Sequence, residues 1–571
     1  MSRPSIEFSG GRCYNGKMKA VSPWNGPIRR EKKIQLITRL PDLATIYTEG
    51  GAQSFAGAQG GRGDVRCALE MEGDLLRVTL CAQDTPVRFI RLRWRFAGEE
   101  RRDDAPRIYG DAWERAGGAL EWRGVVPERC MPWFCLVSNG SDRMQEREGR
   151  RTEGFGVKAR PNALCFWQYD SAGIALWLDV RSGGCGVVLG GRTLTAAEVI
   201  FRTYRDCTAF EAGARFCREM CGDGLTTPEP VYGANNWYYA YGQSSAQEIE
   251  ADARMLAGLC EELRNRPFMV IDDGWSPNPK NGPWDRGNER FPDMAGLAAA
   301  IRAQDVRPGI WVRYISDENH VCGLPEEWHL QRDSNDLDPS RPEVLDYVRA
   351  TTRRLVDWGY ELIKFDCSAQ DILGRRGYRV PFAVAEDGWR FHDRSRTSAE
   401  IVKDFYGAVR QAAGEDVVLI GTATFSHLSA GLVHLGRTGA DVNGMKWDVT
   451  RRMGVNTLAF RMMMNGALFT VDADCAPLTG AWPWRYAGQW LDILAESGTP
   501  MFVSCRPGAL NAEQMDQLRR AYARNSAQRD ALIPLDWMEN ICPERWLLNG
   551  REVRFDWYAD DVCAMFEGAV E

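Results

Sequence analysis

Long apolar runs are missing from this sequence. No stretch of about 20 apolar residues occurs anywhere in its 571 residues, so no membrane-spanning helix and no membrane partner are expected. The N-terminal MSRPSIEFSGGRCYNGKMKA also lacks the apolar core of a signal peptide, which makes the expected address cytoplasmic. Strong charge of either sign is absent too. The formal net charge is −7, and the basic residues are spread along the chain. A nucleic-acid groove needs a concentrated positive field, so nucleic acid is excluded as a partner. Histidine is scarce, with five residues, and none stands at a strand end beside a second ligand. The 17 cysteines are odd in number and irregularly spaced, and many sit in apolar runs such as Leu164-Cys165-Phe166 and Phe502-Val503-Ser504-Cys505. They read as buried reduced thiols. Cys217 and Cys221 have the spacing to share a helix face, but no Cys or His set completes a metal site, and no metal or cofactor is expected. The glycine-rich stretch Gly57–Gly63 lacks the following helix that a phosphate site requires. There is no internal repeat and no low-complexity tract.

What the chain does have is ample apolar surface, 44% hydrophobic residues and 21 Trp, in a length beyond one core of roughly 250 to 300 residues. Residues 1–225 are expected to form an N-terminal β-sandwich. Phe89–Phe96 alternates apolar and basic residues, Leu76, Val78 and Leu80 alternate likewise, and Leu164–Tyr169 and Ile174–Val180 flank a hairpin turn at Asp170–Gly173. Trp113, Trp122 and Trp133 are taken as structural here, with the barrel mouth as their alternative place.

Residues 226–528 change to short apolar runs alternating with helices. The predicted strands are Val231–Trp237, Phe268–Asp272, Gly309–Arg313, Leu362–Asp366, Val417–Gly421, Leu435–Asp441, Ala467–Asp472 and Met501–Cys505. Helices are predicted at Ser245–Leu263, Leu297–Arg302, Pro342–Trp358, Ala399–Ala412, Met453–Asn465, Tyr486–Leu494 and Ala512–Ala523. Eightfold alternation predicts a multidomain protein centred on a (β/α)₈ TIM barrel. Residues 529–571 are expected to form a small C-terminal β region, from Trp546-Leu-Leu and Val553–Tyr558.

Four of the eight predicted strands end in acids: Asp272-Asp273, Asp366, Asp441, and Asp472 with Asp474. One such Asp is as readily a helix cap. Four together on the face where barrels carry their sites point to a polar ligand, and a sugar suits them better than a transition metal. Glycoside hydrolysis needs one ionised and one protonated carboxyl group. Lys364 points to the same side of its strand as Asp366 and favours an ionised Asp366, whereas Asp441 has no cation adjacent in sequence, which suits a carboxyl that keeps its proton. Trp275, Trp284 and Trp311 either line the cleft or belong to the core.

The segment Leu362-Ile-Lys-Phe-Asp-Cys367 resembles the nucleophile strand of glycoside hydrolase clan D, the α-galactosidase (melibiase) group of families twenty-seven and thirty-six. Val270-Ile-Asp-Asp-Gly-Trp275, Arg437-Thr-Gly-Ala-Asp441, Asn236-Trp237 and Asp472-Ala-Asp474 resemble further segments of that clan, in the same order, over about residues 228–510. The resemblance implies a retaining, exo-acting α-glycoside hydrolase with Asp366 as nucleophile and Asp441 as acid/base. It also implies sugar binding by Asp272, Asp273, Lys364, Arg437 and Trp237, with Trp311, Arg313 and Cys367 nearby. Where family thirty-six carries an acid, this chain reads Gly309-Ile-Trp-Val-Arg313. Arg313 is therefore expected either to read an anionic substituent or to act as a structural counter-ion. The loop Gly421–Phe425 lacks the acid of the family twenty-seven recognition loop. The expected partner is an oligosaccharide or glycoside; raffinose-synthase-type transglycosylation, other α-glycosides (N-acetylgalactosamine, arabinopyranose, an acidic sugar) and a homo-oligomer stay open.

Overall fold

Strand Val87–Arg95 shows how the first third of the chain is built. Ile90, Leu92 and Trp94 are buried while Arg91, Arg93 and Arg95 reach outward, the period-two pattern of a sheet with one covered face. The computed structural model describes residues 39–96, 106–139, 149–222, 224–332, 334, 336–375, 385–527 and 532–558. The N-terminal stretch read for a leader lies outside them. The strand pairs with Leu43–Thr48 and Gly173–Asp179 in a six-stranded antiparallel sheet, and a second antiparallel sheet has eight strands. Rings from the two sheets meet, Trp94 against Phe201 at 5.3 Å and Phe155 against Trp167 at 6.1 Å. The predicted hairpin is present as Leu164–Asp170/Gly173–Asp179, with Tyr169 paired to Ile174.

The β-rich reading of residues 1–225 missed one helix, Ala209–Cys221, opened by a reciprocal capping box between Thr208 and Glu211. It sits on the eight-stranded sheet over Gly154 and Gly156. A Cβ at Gly154 would stand 2.7 Å from the Phe216 ring, so the glycines make room for the helix.

The barrel strands are β1 Tyr232–Asn235, β2 Phe268–Ile271, β3 Arg307–Val312, β4 Leu362–Phe365, β5 Val418–Gly421, β6 Leu435–Arg437, β7 Thr470–Asp472 and β8 Met501–Ser504. All neighbours are parallel, from β7 through β6, β5, β4, β3, β2 and β1 to β8. Burial of nearly every strand residue, on both faces, follows from the enclosing helices. The ring closes where the seventh strand breaks: Thr470–Asp472 pairs with β6, and after a turn at Asp474 (φ 72°) Cys475–Pro477 pairs with β8. The predicted helix Met453–Asn465 is instead a π turn, an α turn and a 3₁₀ turn in succession, Arg451–Met464. A three-stranded sheet, Ile533–Pro534, Arg545–Leu548 and Arg551–Arg554, follows the barrel.

One boundary matters for function. The sixth strand was expected to run to Asp441, but it ends at Arg437. Residues 438–440 turn instead to the N-terminal region, where Ala116 N donates to Thr438 O (2.8 Å) and Ala440 N to Ala116 O (2.9 Å). Two further anchors hold that loop on the barrel. Arg461 forms a buried bidentate pair with Asp111 (2.9 and 3.0 Å), and Asn456 exchanges hydrogen bonds with the backbone of Leu120 (3.1 and 2.8 Å). All the described residues belong to one compact unit, Ile34–Glu571. Among them, no helix is long and apolar enough to cross a membrane.

Candidate active site

A cavity of 490 Å³ opens at the C-terminal ends of the barrel strands, lined by Asp272, Asp273, Trp237, Trp311, Arg313, Lys364, Asp366, Cys367 and Asp441. Its size is that of a small-molecule site. Of the predicted site residues, only Arg437 lies behind the wall, with its Nη1 3.4 Å from Asp441 Oδ1. Ala440 also lines it, and Arg115, Lys280, Glu318 and Gln370 complete the lining and were not read from the sequence.

Asp366 follows β4 directly. Its Oδ1 accepts the N–H of Cys367 at 2.7 Å, and Trp311 Nε1 lies 3.4 Å from Oδ2. Cys367 adopts φ 58°, a left-handed conformation that costs a non-glycine residue about 1 kcal/mol or more and here aims its N–H at the carboxylate. Burial pushes the Asp366 carboxyl up, but Arg115, Lys364 and the Cys367 N–H outweigh it and hold the pKa below the ordinary carboxylate value.

Asp441 stands at the rim, with half of its side chain exposed. No cation is adjacent to it in sequence, but in space Arg115 Nη1 and Arg437 Nη1 each lie 3.4 Å from its Oδ1. Sequence neighbours mislead here because one cation comes from the end of β6, four residues upstream across a loop, and the other from the N-terminal region. Its pKa is nonetheless raised. Desolvation by the surrounding walls acts first, Asp366 and Asp474 add to it, and the two guanidiniums oppose it. Arg115 Nη1 is also 3.7 Å from Asp366 Oδ1, so one nitrogen touches both carboxylates.

The remaining acids divide into two groups. Asp272 Oδ2 accepts from Lys364 Nζ (2.6 Å) and Asn235 Nδ2 (2.7 Å), while both backbone donors to Asp273, from Gly274 (2.8 Å) and Lys280 (2.9 Å), fall on its Oδ1. Burial, reinforced by Asp272, raises the Asp273 pKa. Asp472 and Asp474, expected in the acidic ring, do not line the cavity. They grip Arg437 from behind, at 3.3 and 2.7 Å, and Asp474 also accepts from the Tyr238 hydroxyl and from Val442 N (3.1 Å). They fix the guanidinium and the backbone beside Asp441.

Arg313 reaches the cavity wall, but its Nε and Nη2 bind Asp371 bidentately at 2.8 and 2.7 Å. The fork expected to read an anion is thereby closed on a carboxylate of the helix after β4, so Arg313 is a counter-ion to Asp371 and not to the ring of strand-end acids. Trp311 lines the cavity, whereas Trp275 and Trp284 are core. Beyond Arg313, Glu318 and Gln370 a second cavity of 500 Å³ adjoins the first.

No family model matches the sequence, and no curated protein does. Solved structures do match by fold. An α-galactosidase from Thermus thermophilus in complex with p-nitrophenyl α-D-galactopyranoside is 16% identical, with 89% of this chain and 98% of that one covered and a TM-score of 0.58. A variant of a family thirty-six α-galactosidase from Geobacillus stearothermophilus is 12% identical, with 89% and 79% covered and a TM-score of 0.57. The galactosidase domain of an α-galactosidase–sucrose kinase is 15% identical, with 85% and 74% covered and a TM-score of 0.56. At these identities the likeness is one of fold, and this chain has the fold of the family thirty-six α-galactosidases.

Proposed function

We propose that the protein is a retaining, exo-acting α-glycoside hydrolase of α-galactosidase type, with residues 226–528 as its catalytic unit. Asp366 attacks the anomeric carbon and Asp441 donates a proton to the leaving oxygen, then serves as base for water. The observation that carries this reading is the shared contact of both carboxylates with Arg115 Nη1, at 3.7 and 3.4 Å, in one cavity. It fits the close pairs of retaining enzymes, about 5 to 5.5 Å apart, better than the upper end of the inverting range near 9.5 Å. Opposite pKa shifts, Asp366 down and Asp441 up, match the ionised and protonated roles.

Asp272, Asp273 and Lys364 offer acceptors and a donor to the hydroxyls of a terminal sugar, and Trp237 and Trp311 offer apolar faces. The structurally similar Thermus thermophilus enzyme was also solved with stachyose, which supports a terminal α-galactoside as substrate. A panel of chromogenic α-glycosides of galactose, N-acetylgalactosamine, arabinopyranose and acidic sugars tests the assignment; turnover of none of them ends it. The configuration of the first-formed sugar, followed by NMR, tests retention. The adjoining second cavity gives an acceptor room, so transglycosylation is a second reading, checked by product analysis with and without acceptor sugars.

A further inference from the structure

The loop after β3 carries a cluster that the proposed reaction does not use. The Asp317 carboxylate is fully buried, the His329 side chain is 5% exposed and that of His320 is 42% exposed. One donor atom from each lies within 4.8 Å of the other two, the one such group found among the described residues. These are two of the five histidines of the chain.

The hydrogen bonding orients two of the three side chains. His329 Nδ1 lies 3.3 Å from Glu326 O, a backbone acceptor, which turns Nε2 toward Asp317. Nε2 faces Asp317 Oδ2 at 3.1 Å, where a proton or a metal ion held between the two satisfies both. A ring nitrogen fixed by a backbone carbonyl on its far side is the usual outer support of a metal-bound histidine. Ligands about 2.0 to 2.1 Å from a tetrahedral zinc lie roughly 3.3 Å from each other, close to the separation seen.

The backbone is bent toward the same point. Asn319 and His320 are consecutive non-glycine residues with φ 61° and 53°, a strained arrangement that brings the His320 ring to 4.5 Å from the His329 ring. The other Asp317 oxygen accepts Cys322 N at 2.9 Å, which orients the carboxylate. His320, on the exposed side, leaves room for water as a fourth ligand.

We infer that Asp317, His320 and His329 form a binding site for one divalent first-row metal ion, zinc by its donor set, in the loop after β3. Two imidazoles and a carboxylate suit zinc and exclude calcium or magnesium as the preferred ion. Bound there, the ion ties residues 317–329 together immediately beside Glu318, which lines the candidate active site. The sequence reading expected no metal, because these residues are not at a strand end but within the following loop.

The test uses the full-length protein, stripped with chelator and titrated with Zn²⁺ alone against a competing indicator. One zinc per chain and a raised thermal midpoint are expected. His320→Ala, at a side chain that is 42% exposed, should weaken binding at least about tenfold, and His329→Gln should do the same. Cobalt substituted for zinc should give d–d bands without a thiolate charge-transfer band, since no cysteine is a ligand. Asp366→Asn, in the cavity, should bind zinc as the wild type does, which separates this site from the proposed catalysis. Absence of stoichiometric zinc overturns the proposal in favour of an imidazolium–carboxylate pair. Zinc binding unchanged in both histidine variants, or a thiolate band with cobalt, overturns it in favour of cysteine sites elsewhere.

Discussion

Arg115 and Asp441 are 3.4 Å apart although one belongs to the N-terminal β region and the other to the barrel. The contact exists because the chain leaves β6 at Arg437 and pairs residues 438–440 with Ala116, next to the arginine. The N-terminal region is thus part of the candidate active site and not only a neighbour of it.

Arg115 favours the ionised form of both carboxylates, so its removal raises both pKa values. In the proposed mechanism activity rises with pH as Asp366 ionises and falls as Asp441 loses its proton. Arg115→Met should therefore move both limbs of the kcat/KM profile to higher pH and lower the maximum about 10- to 100-fold. The limbs report the coupled pair and not single residues. A profile that falls in height without moving would show that Arg115 acts only as a scaffold.

The loop bearing Arg115 is held by the buried pair Asp111–Arg461. Asp111→Ala leaves the guanidinium of Arg461 buried without its partner, at a cost on the order of 3 to 5 kcal/mol. Denaturant midpoints should show that loss, and turnover of the surviving folded protein should fall with it, as Arg115 loses its support. The double variant Asp111→Leu/Arg461→Met should recover much of the stability. A single variant as stable as the wild type would dismiss the anchor.

Arg313→Ala should depress hydrolysis of neutral and acidic aryl α-glycosides alike, since the fork of Arg313 is engaged by Asp371. It should also destabilise the fold by roughly 3 to 5 kcal/mol, because Asp371 is buried and would lose its counter-charge. Competition between neutral and acidic substrates measures the specificity directly. Selective loss of the acidic one would restore the anion-reading role.

Much of this site was legible in sequence for a simple reason: a parallel barrel strand is a short apolar run, and the residue that ends it faces the mouth. Asp272 and Asp366 could be placed from that rule, and Lys364 from the two-residue alternation that sets it on the same side as Asp366. The rule failed where the backbone departs from it. Asp441 lies beyond its strand because residues 438–440 found hydrogen bonds outside the barrel, and Asp472 and Asp474 sit at a break in the seventh strand, turned toward Arg437. Arg115 was illegible because it arrives by docking of a segment more than 300 residues from Asp441. Its only local sign is the charged Glu114-Arg115 pair beside Trp113 in an otherwise β-rich region. The pairing of Arg313 with Asp371 joins the end of β3 to the helix after β4, which no local pattern records.

The two carboxylates respond differently to removal, which decides their roles. Asp366→Gly should abolish turnover on every substrate, because nothing else can form the glycosyl-enzyme bond and a better leaving group does not replace it. Asp441→Ala should be gentler on aryl glycosides whose leaving groups need no proton, since the acid contributes little to that cleavage. The variant still lacks the base for the second step, so the glycosyl-enzyme should accumulate, visible by mass as a burst of one equivalent. Azide attacks without base assistance and should restore turnover. Since the intermediate has inverted configuration relative to an α-substrate, attack on its open face returns the α-glycosyl azide. The product's anomeric coupling and the ratio of rates with and without azide measure this directly. If azide instead rescues Asp366→Gly to give the β-azide and leaves Asp441→Ala unaffected, Asp441 is not the acid/base.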